Sequence, residues 1–347
     1  MSSNKQVLSG LTPLLLYSLA TYVMVAPAFT VTQFNLPQWL SFLIVSIPFG
    51  GRIIGSLTYQ RLIVSLGSKA LYVFSTISLG ILSVASGITI NIPLLLAVRA
   101  FIGVVFGIAT SLAVEEAVSS GKKLLVALTM SGWAFGWIGG AIAYIYLKEW
   151  TLIALSGLIT SPFSLLYPNV TDFARYKNQS LSLPSLTSVL IFFFSFEPAF
   201  VLQLAPSIVE DQGGIIWVII GYALSIPMYL LVPRLSISEA KVTAIYTLVS
   251  AISGVLFFQT SIPYVLVLFT AFGLGINSIA PRLASAYGAT PRNMGIALNT
   301  AALGGVIVPV VSSIDIKAVA TLFTAISMTI LLILSVRAKT QLGVGIK

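Results

Sequence analysis

Residues 92–123 read IPLLLAVRAFIGVVFGIATSLAVEEAVSSGKK, and the pattern of this stretch repeats along the chain. Residues 92–114 carry a single charge, Arg99, in an otherwise apolar run. The run is long enough to cross a bilayer, which takes about 20 helical residues. A short polar loop with Lys122 and Lys123 follows. The stretch therefore predicts a transmembrane helix that ends at a basic loop.

The composition of the whole chain indicates the same class of protein. Of its 347 residues, 57% are hydrophobic and 8% are charged, and the mean hydropathy is +1.03; soluble domains have about 25% charged residues. The chain has no Cys and no His, so we expect no disulfide, no metal site and no cofactor. The formal charge of +9 is spread along the chain. It therefore predicts a membrane topology and not a nucleic-acid partner.

Similar apolar segments, separated by Pro, Gly, Asn or charged residues, predict an all-α integral membrane protein with about twelve transmembrane helices. We call these segments spans 1 to 12. Spans 1 to 6 lie near residues 11–32, 38–60, 70–88, 92–114, 124–146 and 150–167, and spans 7 to 12 lie near residues 186–208, 213–232, 242–259, 262–280, 294–312 and 316–336. The predicted domains are a first helix set at residues 1–167, a cytoplasmic linker at residues 168–185 and a second helix set at residues 186–347.

The basic residues collect in alternate loops, as the positive-inside rule requires of a correct set of spans. Lys148 and Lys317 lie on one side, whereas Arg52 and Arg99 lie within spans. All the others share the opposite side, called the basic side here: Lys5, Arg61, Lys69, Lys122, Lys123, Arg175, Lys177, Arg234, Lys241, Arg282, Arg292, Arg337, Lys339 and Lys347. We expect the basic side and both termini to be cytoplasmic, in a plasma membrane protein.

Matching residues at one constant offset suggest an internal duplication. The pairs are Pro93 and Pro263, Gly103 and Gly273, Lys122 and Arg292, and Gly51 and Gly221. An even number of spans in each unit gives parallel repeats, as in transporters that bind substrate near the midplane between two repeats. We therefore predict two parallel six-helix repeats.

Three charged residues within spans are the main candidates for function, because a charge at a helix centre costs about 2.5 to 3.5 kcal/mol on insertion scales. Glu197 lies next to Pro198, which removes a helical hydrogen bond. It is predicted to carry a proton, with a buried structural acid as the alternative. Arg99 can bind an anionic solute, pair with Glu197 or extend to the interface. Arg52 can bind solute or cap neighbouring helix ends.

Two further groups of residues are candidates for gating and for the lining of a cavity. Glu115 and Glu116 end span 4, where the helix dipole disfavours negative charge; pairing with Lys69, or with the lysines after span 4, predicts a gate, and a solvated loop is the alternative. Candidates for lining a cavity, or for simple packing, are Asn277, Asn299, Tyr22, Trp133, Trp137 and Tyr222. Glycine faces in spans 5 and 11 predict close helix packing.

These residues resemble the major facilitator superfamily over essentially the whole chain. RAFIGVVFG at residues 99–107, with the acidic and basic residues that follow it, is similar to the helix 4 motif of that family. Arg52-Ile-Ile-Gly55 with Gly67-Ser68-Lys69 resembles its metabolite and sugar symporters, although Val64 and Ser65 replace the acidic and first basic residues of the loop motif. Gly132-xxx-Gly136 resembles the antiporter motif, with Trp137 in place of its proline.

The resemblance implies a secondary transporter, not an enzyme, that works by alternating access around a site formed by spans 1, 4, 7 and 10. The predicted function is cotransport of a small organic solute with protons, in which Arg99 orients the solute and Glu197 carries the proton. A uniporter, a multidrug-type exporter and a non-transporting receptor on the same fold are the alternatives. We expect a monomer in the lipid bilayer, with a small-molecule substrate and protons as partners.

Overall fold

A computed structural model describes residues 3–167, 182–209, 214–235 and 239–342. Within these ranges every regular element is a helix and none is a strand. Most of the predicted linker, residues 168–181, lies outside the described residues. The all-α prediction is confirmed.

Helices occupy each predicted span. Those of the first helix set are Ser3–Val25 with the 3-10 turn Ala26–Phe29, Gln38–Ile88, Ile92–Ser119, Lys123–Met130, Gly132–Leu147, Trp150–Ser156 and the 3-10 helix Gly157–Leu166. Those of the second helix set are Leu186–Ser195, Glu197–Val201, Leu202–Leu204 (3-10), Ala205–Val209, Ile215–Leu231, Val232–Arg234 (3-10), Glu239–Thr260, Pro263–Gly275, Ile276–Ser278 (3-10), Ala280–Ala286, Pro291–Ala301, Gly304–Ser312 and Ile316–Leu342. We keep the span numbers for these helices.

The helix Gln38–Ile88 contains both span 2 and span 3. Its 51 residues would extend about 76 Å if straight, more than twice the hydrocarbon thickness of about 30 Å. Gly67 interrupts it with φ 78° and ψ 169°, a backbone conformation open to glycine. Spans 2 and 3 therefore turn back on one another without an intervening loop.

Nine helices of the described chain are long and apolar enough to cross a membrane, or ten if the two parts of span 7, bent by 51°, form one span. This count treats Gln38–Ile88 as one helix, and it leaves out the shorter apolar helix Trp150–Leu166. The chain is thus a multi-pass membrane protein. The number twelve stays a prediction.

Glycines allow spans 2 and 4 to pack with their backbones in contact. A Cβ atom at Gly51 would overlap the carbonyl oxygen of Ala100, and one at Gly103 would overlap that of Pro48. Gly55 and Gly107 make equivalent contacts one turn further along. Small residues at these crossings replace side-chain packing by close backbone approach.

The predicted glycine faces of spans 5 and 11 are confirmed as packing surfaces. In span 5, Gly132 and Gly136 lie against Tyr17 and Thr21 of span 1. In span 11, Gly305 lies against Phe49 of span 2. Span 11 therefore reaches across from the second helix set to the first, as does span 8, which packs on span 5.

Substitution of two adjacent glycines tests this packing. We expect Gly51→Ala to destabilise the protein, because overpacking typically costs about 1–3 kcal/mol and the obstructing atom is backbone. Gly50→Ala is the matched control, since its Cβ would lie 3.9 Å from Val306 Cγ2. Thermal unfolding in detergent measures both. Equal melting temperatures for the two variants would contradict the packing.

Candidate functional site

A buried hydrogen bond joins the two helix sets. Arg52 of span 2 donates from Nε to Oδ1 of Asn299 of span 11 at 2.8 Å. Arg52 is 1% exposed and Asn299 is fully buried. The guanidinium also lies 4.3 Å from the ring centroid of Phe106, a distance at which the ring face attracts a cation.

Asn299 uses its whole side-chain amide at this contact. Its oxygen also accepts from Thr110 Oγ1 at 3.2 Å. Its nitrogen donates to Ser111 Oγ at 3.2 Å, to the Gly295 carbonyl at 2.8 Å and to the Gly107 carbonyl at 3.4 Å. Satisfied buried amides fix one arrangement of the groups around them. Asn299 thus aligns span 11 against spans 2 and 4.

An ion pair joins the same spans nearer the basic side. Glu115, at the end of span 4, lies 3.0 Å from Nε of Arg292, at the start of span 11. Both side chains are almost fully buried, and Tyr59 donates a hydrogen bond to Glu115 at 3.0 Å. Arg292 precedes Asn299 by two helical turns, or about 10 Å. The two contacts therefore form successive layers that hold the helix sets together.

The predicted gating residues occupy different surroundings. The cation that the structure places on Glu115 is Arg292 of the second helix set, which was not among the predicted gating residues. Glu116 accepts a hydrogen bond from Tyr167 at 2.7 Å, and the same hydroxyl lies 2.7 Å from Ser68, the neighbour of Lys69. A gate in which Lys69 holds these acids stays a prediction.

Aromatic side chains of both helix sets meet beside Arg52. The rings of Trp137 and Tyr222 stack at 5.1 Å and 8°, and Trp133 lies 6.4 Å from Trp137 and 6.1 Å from Phe49. Phe49 in turn lies 5.5 Å from the Arg52 guanidinium. Spans 5 and 8 therefore contribute rings to the same region as the arginine.

Several buried polar atoms of this region make no well-formed hydrogen bond among the described residues. They are Tyr17 Oη, Arg52 Nη2, Trp133 Nε1, Trp137 Nε1, Tyr222 Oη and Asn277 Oδ1. Tyr17 and Arg52 are close enough for a weak mutual hydrogen bond, and so are Trp133 and Tyr222. Buried polar groups are normally paired, so this set, named the central cluster here, is the candidate site for a polar ligand.

Arg99 has a structural position and is not part of the central cluster. Its guanidinium donates to the carbonyls of Ile44 at 3.3 Å, Val23 at 3.1 Å and Met24. Val23 and Met24 lie in the last turn of the helix Ser3–Val25, where carbonyls lack helical partners and the dipole favours a cation. Arg99 thus caps span 1, which none of our three interpretations of Arg99 had anticipated.

Glu197 lies inside the second helix set. It is fully buried, and its Oε1 accepts a hydrogen bond from Thr324 of span 12 at 2.7 Å. Its Oε2 has no partner among the described residues. The predicted alternative of an Arg99–Glu197 ion pair is wrong in this structure, because Arg99 is bound to carbonyls of the first helix set.

The remaining candidates divide between the central cluster and other contacts. Asn277 donates to Tyr229 Oη at 3.4 Å, whereas Tyr22 is hydrogen-bonded to Ser156 within the first helix set. Sequence analysis missed Tyr17 and Tyr229, since an aromatic residue in an apolar span gives no sign of the face that it occupies.

A charge exchange tests the ion pair on the basic side. We expect Glu115→Arg alone to open this side, because removal of one partner of a buried ion pair leaves an uncompensated charge at a cost of about 3–5 kcal/mol. The measurement is maleimide labelling of the variant Ser111→Cys. The chain has no other cysteine to react, and Ser111 is 1% exposed, so labelling reports opening of the basic side. Labelling should fall again in Glu115→Arg with Arg292→Glu. Equal labelling with and without Glu115→Arg would contradict the seal.

Comparisons with known proteins identify the fold. No protein-family model matches the chain, and no curated protein sequence matches it. Among solved structures, it is similar to the proton:xylose symporter XylE bound to 6-bromo-6-deoxy-D-glucose, with a TM-score of 0.74 and 15% identity over 100% of this chain and 97% of that one. The chain therefore has the fold of the major facilitator superfamily of transporters.

Proposed function

We propose that the chain is a secondary transporter that carries a small polar solute across the membrane by alternating access. The observation that supports this most directly is the central cluster. Two helix sets meet there at aromatic rings and at buried polar atoms that lack well-formed hydrogen bonds. Such a combination is typical of a small-molecule site.

The groups of the central cluster favour a solute rich in hydrogen-bond acceptors. Two indole N–H groups and one guanidinium N–H group are donors only, and two phenols can donate as well, whereas Asn277 Oδ1 accepts. The aromatic rings provide flat apolar surfaces beside these donors. The sugar bound to the similar symporter supports a small polar solute.

The contacts between the helix sets suggest which side is closed. On the basic side, the Asn299 network and the Glu115–Arg292 pair hold span 11 against spans 2 and 4. On the other side lies an open cavity of about 180 Å³ lined by Thr32, Leu36, Gln38, Ser41, Phe42 and Ser207. In our proposal this cavity is the entrance for the solute. We place the basic side on the cytoplasmic face of the plasma membrane, and it opens when both layers separate.

Proton coupling is assigned to Glu197. A carboxylate is poorly stabilised at a fully buried site with one hydrogen bond, so ionisation of Glu197 requires that water or solute reach the group. One turn further along span 7, Phe200 contacts Phe49 at a ring distance of 6.2 Å, and Phe49 contacts Arg52. A change of protonation at the break beside Pro198 can thus alter packing at the central cluster.

Removal of one indole N–H group tests the site. We expect Trp133→Phe to weaken solute binding by about tenfold, because it deletes a donor while keeping an aromatic ring. Trp39→Phe is the control, since Trp39 is 50% exposed and lies outside the central cluster. Concentration-dependent uptake into liposomes gives the apparent affinity. An unchanged affinity in Trp133→Phe would remove this residue from the site.

A second substitution tests proton coupling. In liposomes with an internal pH dye, we expect solute addition to move protons through the wild type and not through Glu197→Gln, because the amide cannot release a proton. The panel contains sugars, carboxylates, amino acids and lipophilic cations. Proton movement that persists in Glu197→Gln would contradict the assignment. Solute uptake without proton movement in the wild type would indicate a uniporter.

A further inference from the structure

The two arginines within spans differ in how their charge is compensated. Arg99 is bound by three main-chain carbonyls, two of them at the negative end of a helix. Arg52 is equally buried, yet its partners are neutral: the amide of Asn299, the phenol of Tyr17 and aromatic rings. Its Nη2 atom makes no well-formed hydrogen bond among the described residues. The positive charge of Arg52 is therefore less well compensated by surrounding groups than that of Arg99.

The buried carboxylates of the described chain are bound elsewhere. Glu115 is paired with Arg292, and Glu197 accepts from Thr324 within the second helix set. Arg52 forms no ion pair in the part of the chain that the structure describes. A buried positive charge is costly unless an opposite charge accompanies it. The membrane interior makes that requirement stronger.

The groups around Arg52 would complete a site for an anion. The Tyr17 phenol lies beside the guanidinium, with which it makes at most a weak hydrogen bond. Trp133 lies next to Phe49, which itself contacts the guanidinium, and its indole N–H makes at most a weak hydrogen bond, to Tyr222. These groups are donors to a negatively charged oxygen, and the planar guanidinium matches the geometry of a carboxylate.

We propose that the transported solute is a small organic monoanion, whose carboxylate binds the Arg52 guanidinium. One uncompensated positive charge balances one negative charge, and Arg99, the other buried arginine of the first helix set, is already occupied by carbonyls. A dianion would leave a negative charge in the membrane interior. This inference names the substrate class of the site described above, and so it rests on the proposed function.

Binding of an anion at Arg52 would also act on the contact between the helix sets. The same guanidinium donates to Asn299 of span 11. A carboxylate is a stronger acceptor than a neutral amide, so the solute competes with Asn299 for the arginine. Occupancy of the site therefore loosens a layer that closes the basic side.

Thermal unfolding of the purified full-length protein in detergent tests the inference. The probes are lactate with lactamide, and benzoate with benzamide, two pairs that differ chiefly in charge, together with xylose as a neutral sugar. The variants are Arg52→Gln, Arg52→Lys and, as a matched control, Arg61→Gln, which removes an exposed charge from the same helix. Size-exclusion chromatography establishes that each variant is folded.

We expect at least one carboxylate, and neither amide, to raise the melting temperature of the wild type and of Arg61→Gln. Arg52→Gln should lose the response, and Arg52→Lys should bind at least about tenfold more weakly, because a charge-assisted hydrogen bond is lost. If Arg52→Gln does not fold, Arg52→Lys takes its place in the test: weaker binding of the carboxylate supports the inference, and unchanged binding contradicts it.

Two results would overturn the inference: an amide or xylose that stabilises the protein as well as the carboxylate does, or a carboxylate response that survives in Arg52→Gln. In both cases uptake of radiolabelled xylose or of the bound probe into liposomes would still support transport. Failure of the proposed function is a separate result, in which a carboxylate binds through Arg52 and no uptake follows.

Discussion

The hydrogen bond between Arg52 and Asn299 is the interaction on which the arrangement of the two helix sets depends. Within an apolar slab, neither an arginine nor an amide can turn to water for a partner. Each group therefore needs the other, and the bond holds span 11 against span 2. The glycines of spans 2 and 4 bring these backbones close enough for Asn299 to reach Thr110 and Ser111 as well.

The need of Arg52 for a buried partner can be met in two ways, by the Asn299 amide or by a solute. Asn299 is saturated with hydrogen bonds, whereas Arg52 has only neutral partners, and its Nη2 makes no well-formed hydrogen bond among the described residues. In our proposal a solute replaces the amide acceptor that closes the interface. Two turns away, the Glu115–Arg292 pair adds a second closure that depends on charge. A transporter requires contacts of this kind, which are satisfied when closed and can be exchanged for other partners when open.

The positions of the helices could be predicted from the sequence, whereas the contacts between residues of different helices could not. Apolar length predicts where each helix lies, and glycine spacing predicts close packing, because both depend on local residues. Contacts between distant residues do not follow from local pattern. Glu115 lies near lysines in the sequence yet pairs with Arg292, and Arg99 was expected at a solute but caps span 1. The direction in which Glu197 points, toward Thr324, depends on how span 7 bends at Phe196, between its two helices.

Distances between spin labels on the two sides of the membrane test the central claim that solute binding separates the Arg52–Asn299 layer and opens the basic side. One label pair, at Lys122→Cys and Ser285→Cys, lies on the basic side, and the other, at Glu149→Cys and Ile314→Cys, lies on the opposite side. Addition of a bound solute should lengthen the first distance and shorten the second. Distances that stay unchanged, or that change in the same direction, would contradict the account.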